Sequence, residues 1–122
     1  MARAANIMDG GFSAGQAKAV NGAIATALTA AGTTISTALD LTADTNVIGT
    51  CASGAGVQLP STELGDSIEV YNGGANACTV YPDSSTNQIN GLSAGSGFLL
   101  ATNTSCYCRK ITSTRWIAFL SA

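Results

Sequence analysis

Residues 59–92 constrain the fold of this chain more than any other stretch. After Leu59-Pro60 and Gly65-Asp66, apolar Ile68 and Val70 alternate with Glu69 and Tyr71. Gly73-Gly74-Ala75 interrupts the pattern, which resumes with Cys78 and Val80 alternating with Thr79 and Tyr81. Pro82 lacks the N–H a ladder needs and ends the second run, and Asn90-Gly91 marks another turn. Apolar residues at a period of two, bounded by Gly, Asn and Pro, read as half-buried strands. The glycine-rich join predicts that residues 67–72 and 76–81 pair as a hairpin.

The same reading extends in both directions. Ile35, Thr37, Leu39 and Leu41 share one side of a predicted strand that starts at Thr33. Further strands are predicted at 46–51, 56–59, 97–100, 105–111 and 115–120, the last placing Trp116, Ala118 and Leu120 on one face. Gly54-Ala55-Gly56-Val57-Gln58-Leu59 is echoed by Gly95-Ser96-Gly97-Phe98-Leu99-Leu100, as two similar sheet halves would produce. Many short strands with turns between them predict a mainly β fold, an antiparallel β-sandwich or a jelly-roll-like barrel.

The first 32 residues read differently, and a boundary is expected between 1–32 and a β-domain at 33–122. Residues 1–12 carry isolated apolar side chains and Gly10-Gly11, as an arm does. Either such an arm frays or it orders on a partner through those side chains. Ser13-Ala14-Gly15-Gln16 fits a helix capping box, and Val20, Ile24 and Leu28 follow at four-residue spacing up to Gly32. A short helix with a narrow apolar stripe is the expectation. The competing expectation is extended chain, because Thr26, Thr29, Thr33 and Thr34 are β-prone.

Charge is scarce: 10% of residues are charged, against about 25% in ordinary domains. The net charge of −2 gives nucleic acid no basic surface, since Arg109, Lys110 and Arg115 form the only local basic group. No apolar run reaches the ~20 residues of a membrane span, and the N-terminus lacks the apolar core of a signal peptide, so synthesis in a cytoplasm is expected. Apolar residues make up 46% but aromatics only 6%. A core built so largely from alanine is thin, and part of the stability is expected from oligomer contacts.

Histidine is absent, which removes the commonest general base and metal ligand. Glu63, Asp66 and Glu69 read as turn caps and an outward strand position rather than as an acid–base pair. Asp40, Asp44 and Asp83 lack the loop spacing of a calcium site, Gly54-Ala55-Gly56 lacks the helix and lysine of a phosphate cradle, and Asn103-Thr104-Ser105 reads as a polar turn. Cys51, Cys78, Cys106 and Cys108 allow three disulfide pairings, but in a reduced compartment they read as small core hydrophobes. No catalytic group, metal or cofactor is expected. Trp116 reads as a core anchor, whereas Tyr71 and Tyr81 are candidates for a shared exposed face.

From about Thr33 to Leu120 the chain resembles a β-rich domain of tailed-bacteriophage virion proteins, among them head decoration (cement) proteins, head fibre proteins and some tail-associated proteins. The resemblance rests on Leu59-Pro60, Gly65-Asp66, Val70-Tyr71-Asn72, Gly74-Ala75-Asn76-Ala77, Val80-Tyr81-Pro82, Ile89-Asn90-Gly91, Ala94-Gly95 and Trp116. The cysteines depart from it, standing where Val, Leu, Ala or Phe is usual. It implies a homotrimer on the capsid surface of a virion, assembled in a host cytoplasm, whose partner is the major capsid protein. On that reading Arg3, Ile7, Met8 and Phe12 attach the arm to the capsid, and Val20, Ile24 and Leu28 form the trimer contact. The alternative is a carbohydrate- or receptor-binding module of a tail fibre or spike, with Tyr71 and Tyr81 as the glycan face.

Overall fold

The computed structural model describes residues 22–121, and the capsid-arm residues Arg3, Ile7, Met8 and Phe12, with Val20, lie outside them. The described residues form ten strands and no helix: β1 (Ile24–Thr29), β2 (Leu39–Asp40), β3 (Thr45–Thr50), β4 (Gly56–Gln58), β5 (Ser67–Asn72), β6 (Cys78–Tyr81), β7 (Gln88–Ile89), β8 (Phe98–Leu100), β9 (Thr104–Thr112) and β10 (Arg115–Leu120). The chain changes sheet at almost every turn. Odd-numbered strands and β10 build a six-stranded sheet in the order β1-β3-β5-β9-β10-β7, and the remaining strands build a four-stranded sheet, β2-β4-β6-β8.

β1, β3 and β5 run parallel to one another, as do β2, β4 and β6. Each passage through both sheets therefore lays one coil on the last, a solenoid-like stacking of mixed sheets and not the antiparallel jelly roll expected from the sequence. The coils end where β9 pairs antiparallel with β5 and turns back into β10, and where β8 pairs antiparallel with β6. Main-chain bonds tie each corner to the next: Ala30 N donates to Thr50 O, Leu41 N to Gln58 O, and Leu59 N to Tyr81 O.

The core lies between the sheets. Inward residues stack in register: Val57 beside Val80, Val70 beside Cys106, Ile68 beside Cys108, and Cys78 beside Leu100, all buried. Trp116 is the largest fully buried side chain, as its place in the sequence pattern predicts.

Three expectations are corrected. Strands 67–72 and 76–81 do not form a hairpin; β5 and β6 belong to different sheets, and Gly73-Gly74 is the corner between them. The corner closes because Gly73 N donates to Ile48 O, and because Asn72, wholly buried, accepts from Gly74 N and donates to Asn76 O and Leu100 O. In place of the short helix, residues 24–29 form β1, which shares a sheet with β3, so the boundary at 32/33 does not divide the structure there. The strand expected from Thr33 is a turn instead, held by the Thr37 hydroxyl, which accepts from Thr33 N and Thr34 N; only Leu39 and Asp40 remain extended.

The echo between 54–59 and 95–100 has a structural counterpart: β4 and β8 flank β6 in one sheet, not in two halves. Gly56 and Gly97 each press on β6, where an added Cβ would come within 2.7 Å of Thr79 O and 2.6 Å of Val80 O respectively.

The corner at Gly74 has no room for a side chain, since a Cβ there would meet Cys51 N at 2.7 Å and Cys51 Cβ at 2.8 Å. Gly74→Ala should lower stability by about 1–3 kcal/mol, the usual cost of overpacking. Gly91→Ala, with nothing within 4 Å of an added Cβ, should leave it nearly unchanged. Chemical denaturation of the two variants checks the contrast.

Candidate functional site

β1 shows why the four-residue spacing of Ile24 and Leu28 misled. Ile24 pairs with Thr45 and points out of the sheet, 72% exposed, while Leu28 pairs with Ile48 and packs on the core. In a regular strand residues four apart share a face. A bulge between Ala25 and Leu28, with Ala27 at φ 55°, reverses the parity. The two residues therefore cannot form one contact stripe.

Tyr71 and Tyr81 are likewise not brought together. Tyr71 lies on the outer face of the six-stranded sheet, and Tyr81 lies on β6 of the other sheet. The Tyr81 ring covers Gly56, and its hydroxyl donates to Thr33 O, so it holds a corner.

What the six-stranded sheet does present outward is a face on which exposed apolar and aromatic side chains alternate with polar ones, and sequence reasoning only partly found it. One cross-strand row reads Ile24, Thr45, Glu69, Tyr107 and Phe119 from β1 to β10. Neighbouring rows add Val47, Tyr71 and Ser105 on one side, and Ser67, Arg109 and Ile117 on the other. Phe119 is 60% exposed, and Tyr71 and Tyr107 are each more than one-third exposed. The Tyr107 and Phe119 ring centroids lie 6.4 Å apart at a tilt of 42°, within the range of favourable aromatic pairs. Thr45 Oγ1 donates to Glu69 Oε1 in the middle of the central row. The alternation of Tyr107 with buried Cys106 and Cys108 was the available signal for this face.

A second cluster is buried at the closed end of the coils. Asp83, just past β6, accepts from Lys110 Nζ at 2.7 Å through one oxygen, and from Asn87 Nδ2 at 2.6 Å and Trp116 Nε1 at 3.0 Å through the other. Lys110 Nζ also donates to Thr62 O and lies 5.9 Å from the Trp116 ring centroid. Burial alone raises the Asp83 carboxyl, but the hydrogen bonds from Asn87, Lys110 and Trp116, with the charge of Lys110, outweigh it and hold the group below the usual carboxylate range. Both ends of the pair are hydrogen-bonded, so it anchors the β9–β10 hairpin to the loop after β6.

The four cysteines are buried and unbridged, in keeping with their reading as core hydrophobes. Cys106 Sγ and Cys108 Sγ stand 3.8 Å apart on the inner face of β9. Burial, with Cys51 beside it, pushes the Cys78 thiol up to about 12, and the contact with Cys106 together with burial pushes Cys108 up further still. Thiols held protonated in this way are poor nucleophiles and poor metal ligands. Among the described residues no His, Cys, Asp and Glu side chains group as a metal site would need, and no helix is long and apolar enough to cross a membrane. Asp40, Asp44 and Asp83 are not drawn into one site.

Comparison with known proteins finds no matching family model, curated protein or solved structure.

The Asp83–Lys110 pair carries a pH dependence. An unfolded aspartate titrates near 3.9, and in the fold Asp83 titrates lower. Its contribution to stability is therefore complete above about pH 4 and is lost as the pH falls through the lower folded value. Lys110→Met leaves a buried carboxylate without its cation and should cost about 3–5 kcal/mol at neutral pH. It should also move the onset of acid unfolding to higher pH. Thermal melts of both chains across the acid range read both effects.

Proposed function

We propose that this chain is a structural protein of a tailed-phage virion, a homotrimeric decoration (cement) protein that binds the head and stabilises it. The observation that supports this reading most is where the residues of the resemblance fall. Gly65-Asp66, Gly74-Ala75-Asn76-Ala77, Pro82, Asn90-Gly91 and Ala94-Gly95 lie at corners and turns between strands, and Trp116 lies in the core. The shared pattern is that of a scaffold, and its low charge suits a protein packed among neighbours.

In this proposal the work is mechanical. Arg3, Ile7, Met8 and Phe12 supply attachment to the major capsid protein, and three such arms on one trimer raise the effective affinity well above that of a single arm. Each trimer bridges adjacent capsid subunits and resists the pressure of packaged DNA. The rigid two-sheet body transmits that load without a catalytic group or cofactor.

The test is co-sedimentation with phage heads prepared without the chain. Full-length protein should pellet with the heads and raise the temperature at which they release DNA. A chain lacking residues 1–12 should keep its oligomeric state but stay in the supernatant. Equal binding by both chains contradicts the arm assignment, and no binding by either contradicts the cement reading.

A further inference from the structure

We infer that Asn90-Gly91 is a self-modification site: the Asn90 side chain closes onto the Gly91 nitrogen, expels ammonia, and is then opened by water to aspartate and isoaspartate. The inference is independent of the proposed function.

The chain has three Asn-Gly pairs, at 21–22, 72–73 and 90–91, and Asn21 lies outside the described residues. The structure separates the other two. At 72–73 both reacting nitrogens are tied down. Asn72 is wholly buried, its Nδ2 donates to Asn76 O and to Leu100 O at 2.9 Å, and Gly73 N donates to Ile48 O at 2.8 Å. At 90–91 both residues are exposed. Among the described residues Gly91 N donates no hydrogen bond. The leaving nitrogen, Asn90 Nδ2, is held only by a long contact of 3.5 Å with Ala118 O.

The turn sets the approach. Leu92 N donates to Ile89 O, and φ is positive at Asn90 (52°) but not at Gly91, the pattern of a type II′ turn. Such a turn holds ψ of its first central residue at about −120°. At that ψ the Cβ of an L-residue eclipses the next nitrogen, which is the arrangement a five-membered ring through Cγ needs.

Two neighbours assist the two ends of the reaction. Arg115 Nη1 donates to Asn90 O at 2.9 Å. That oxygen belongs to the same amide as Gly91 N, so the guanidinium stabilises the amide anion that attacks. Ala118 N donates to Asn90 Oδ1 at 2.9 Å, where negative charge collects as Cγ becomes tetrahedral.

The step needs only water. Gly91 N gives its proton to hydroxide and bonds to Cγ. The tetrahedral oxyanion collapses, the Cγ–Nδ2 bond breaks, and Nδ2 takes a proton from water and leaves as ammonia. Water then adds to the ring. Attack at Cγ gives aspartate, and attack at the Asn90 main-chain carbonyl gives isoaspartate, with the chain running through the side-chain carboxyl. Either product adds one negative charge to a chain of net charge −2. Isoaspartate also puts an extra methylene into the turn whose Asn90 N donates to Trp116 O, and so loosens the clip between β7 and β10.

The test is incubation of the full chain in mildly alkaline buffer, folded and in urea, read by peptide mapping of each pair and by isoaspartyl methyltransferase labelling. In the folded chain the 90–91 pair should convert while 72–73 stays intact, and in urea both should convert at similar rates. An added Cβ at Gly91 has nothing within 4 Å, so Gly91→Ala keeps the fold. It crowds the attacking nitrogen, and conversion at Asn90 should slow about tenfold or more. Arg115→Gln should slow the folded chain about tenfold, the usual worth of a hydrogen bond to a charged group, and leave the rate in urea unchanged. A folded chain in which Asn90 stays intact, or in which Asn72 converts as fast as Asn90, overturns the inference. So does an Arg115→Gln chain whose folded rate equals or exceeds the parent's, because the reaction would then owe nothing to this site.

Discussion

Asn72 is fully buried at the end of β5, and its side chain makes three hydrogen bonds of 2.9 Å. Two hold the turn that follows, through Gly74 N and Asn76 O, and the third reaches Leu100 O on β8 in the other sheet. A buried amide left unpaired costs about 1–3 kcal/mol, so this residue tolerates only a backbone that turns away from β5 at this point. The next bond in the chain of corners runs from Asn76 Nδ2 to Cys51 O, one coil back. The rest of the fold follows from that constraint: a chain that must leave its sheet here can pair β5 only with β3 before it and β9 far after it.

A stack of parallel coils leaves open ends, and exposed strand edges invite unwanted pairing. At the β5 end the chain closes the stack with the β9–β10 hairpin. The hairpin is secured by Trp116 packing and by the Asp83–Lys110 pair beneath it. Ion pairs of this kind contribute little net stability when compared with an apolar replacement but are costly to break. The pair therefore acts as a position lock: Lys110 is satisfied only when β9 lies against the loop that carries Asp83.

The positions of seven of the ten strands among the described residues, all but β1, β2 and β7, were legible in the sequence, and their partners were not. The expected strands at 67–72 and 115–120 agree with β5 and β10, and those at 46–51, 56–59, 97–100 and 105–111 lie within two residues of β3, β4, β8 and β9. Alternation reports which side chains face inward, and it is the same whether a strand's neighbour is antiparallel or parallel. Gly73-Gly74-Ala75 reads as a hairpin turn because nothing in the sequence shows that Gly73 N and Gly74 N donate to Ile48 O and to the Asn72 side chain, which turn the chain out of the sheet. β1 is disguised because Ile24 and Leu28, four apart, read as one helical stripe, whereas the bulge at Ala27 turns them to opposite faces of a strand. Of the candidate site residues, Ile24 and Tyr71 do lie on one outer face. Tyr81 was misplaced because the exchange of sheets after Asn72 is invisible to a count of alternating residues. Phe119 gives no signal in the sequence, because it meets Tyr107 only once β9 and β10 are paired.

A two-sheet body with tight corners and low charge fits the proposed structural role. That picture depends on the sheet exchange at the Asn72 corner. The most direct measurement is a set of nuclear Overhauser contacts on isotope-labelled protein, taken across β3, β5 and β6. The account predicts parallel-strand contacts between Ile48 and the Asn72 region and none between the backbones of β5 and β6. Close antiparallel Hα–Hα contacts between β5 and β6, as in a hairpin, would contradict it.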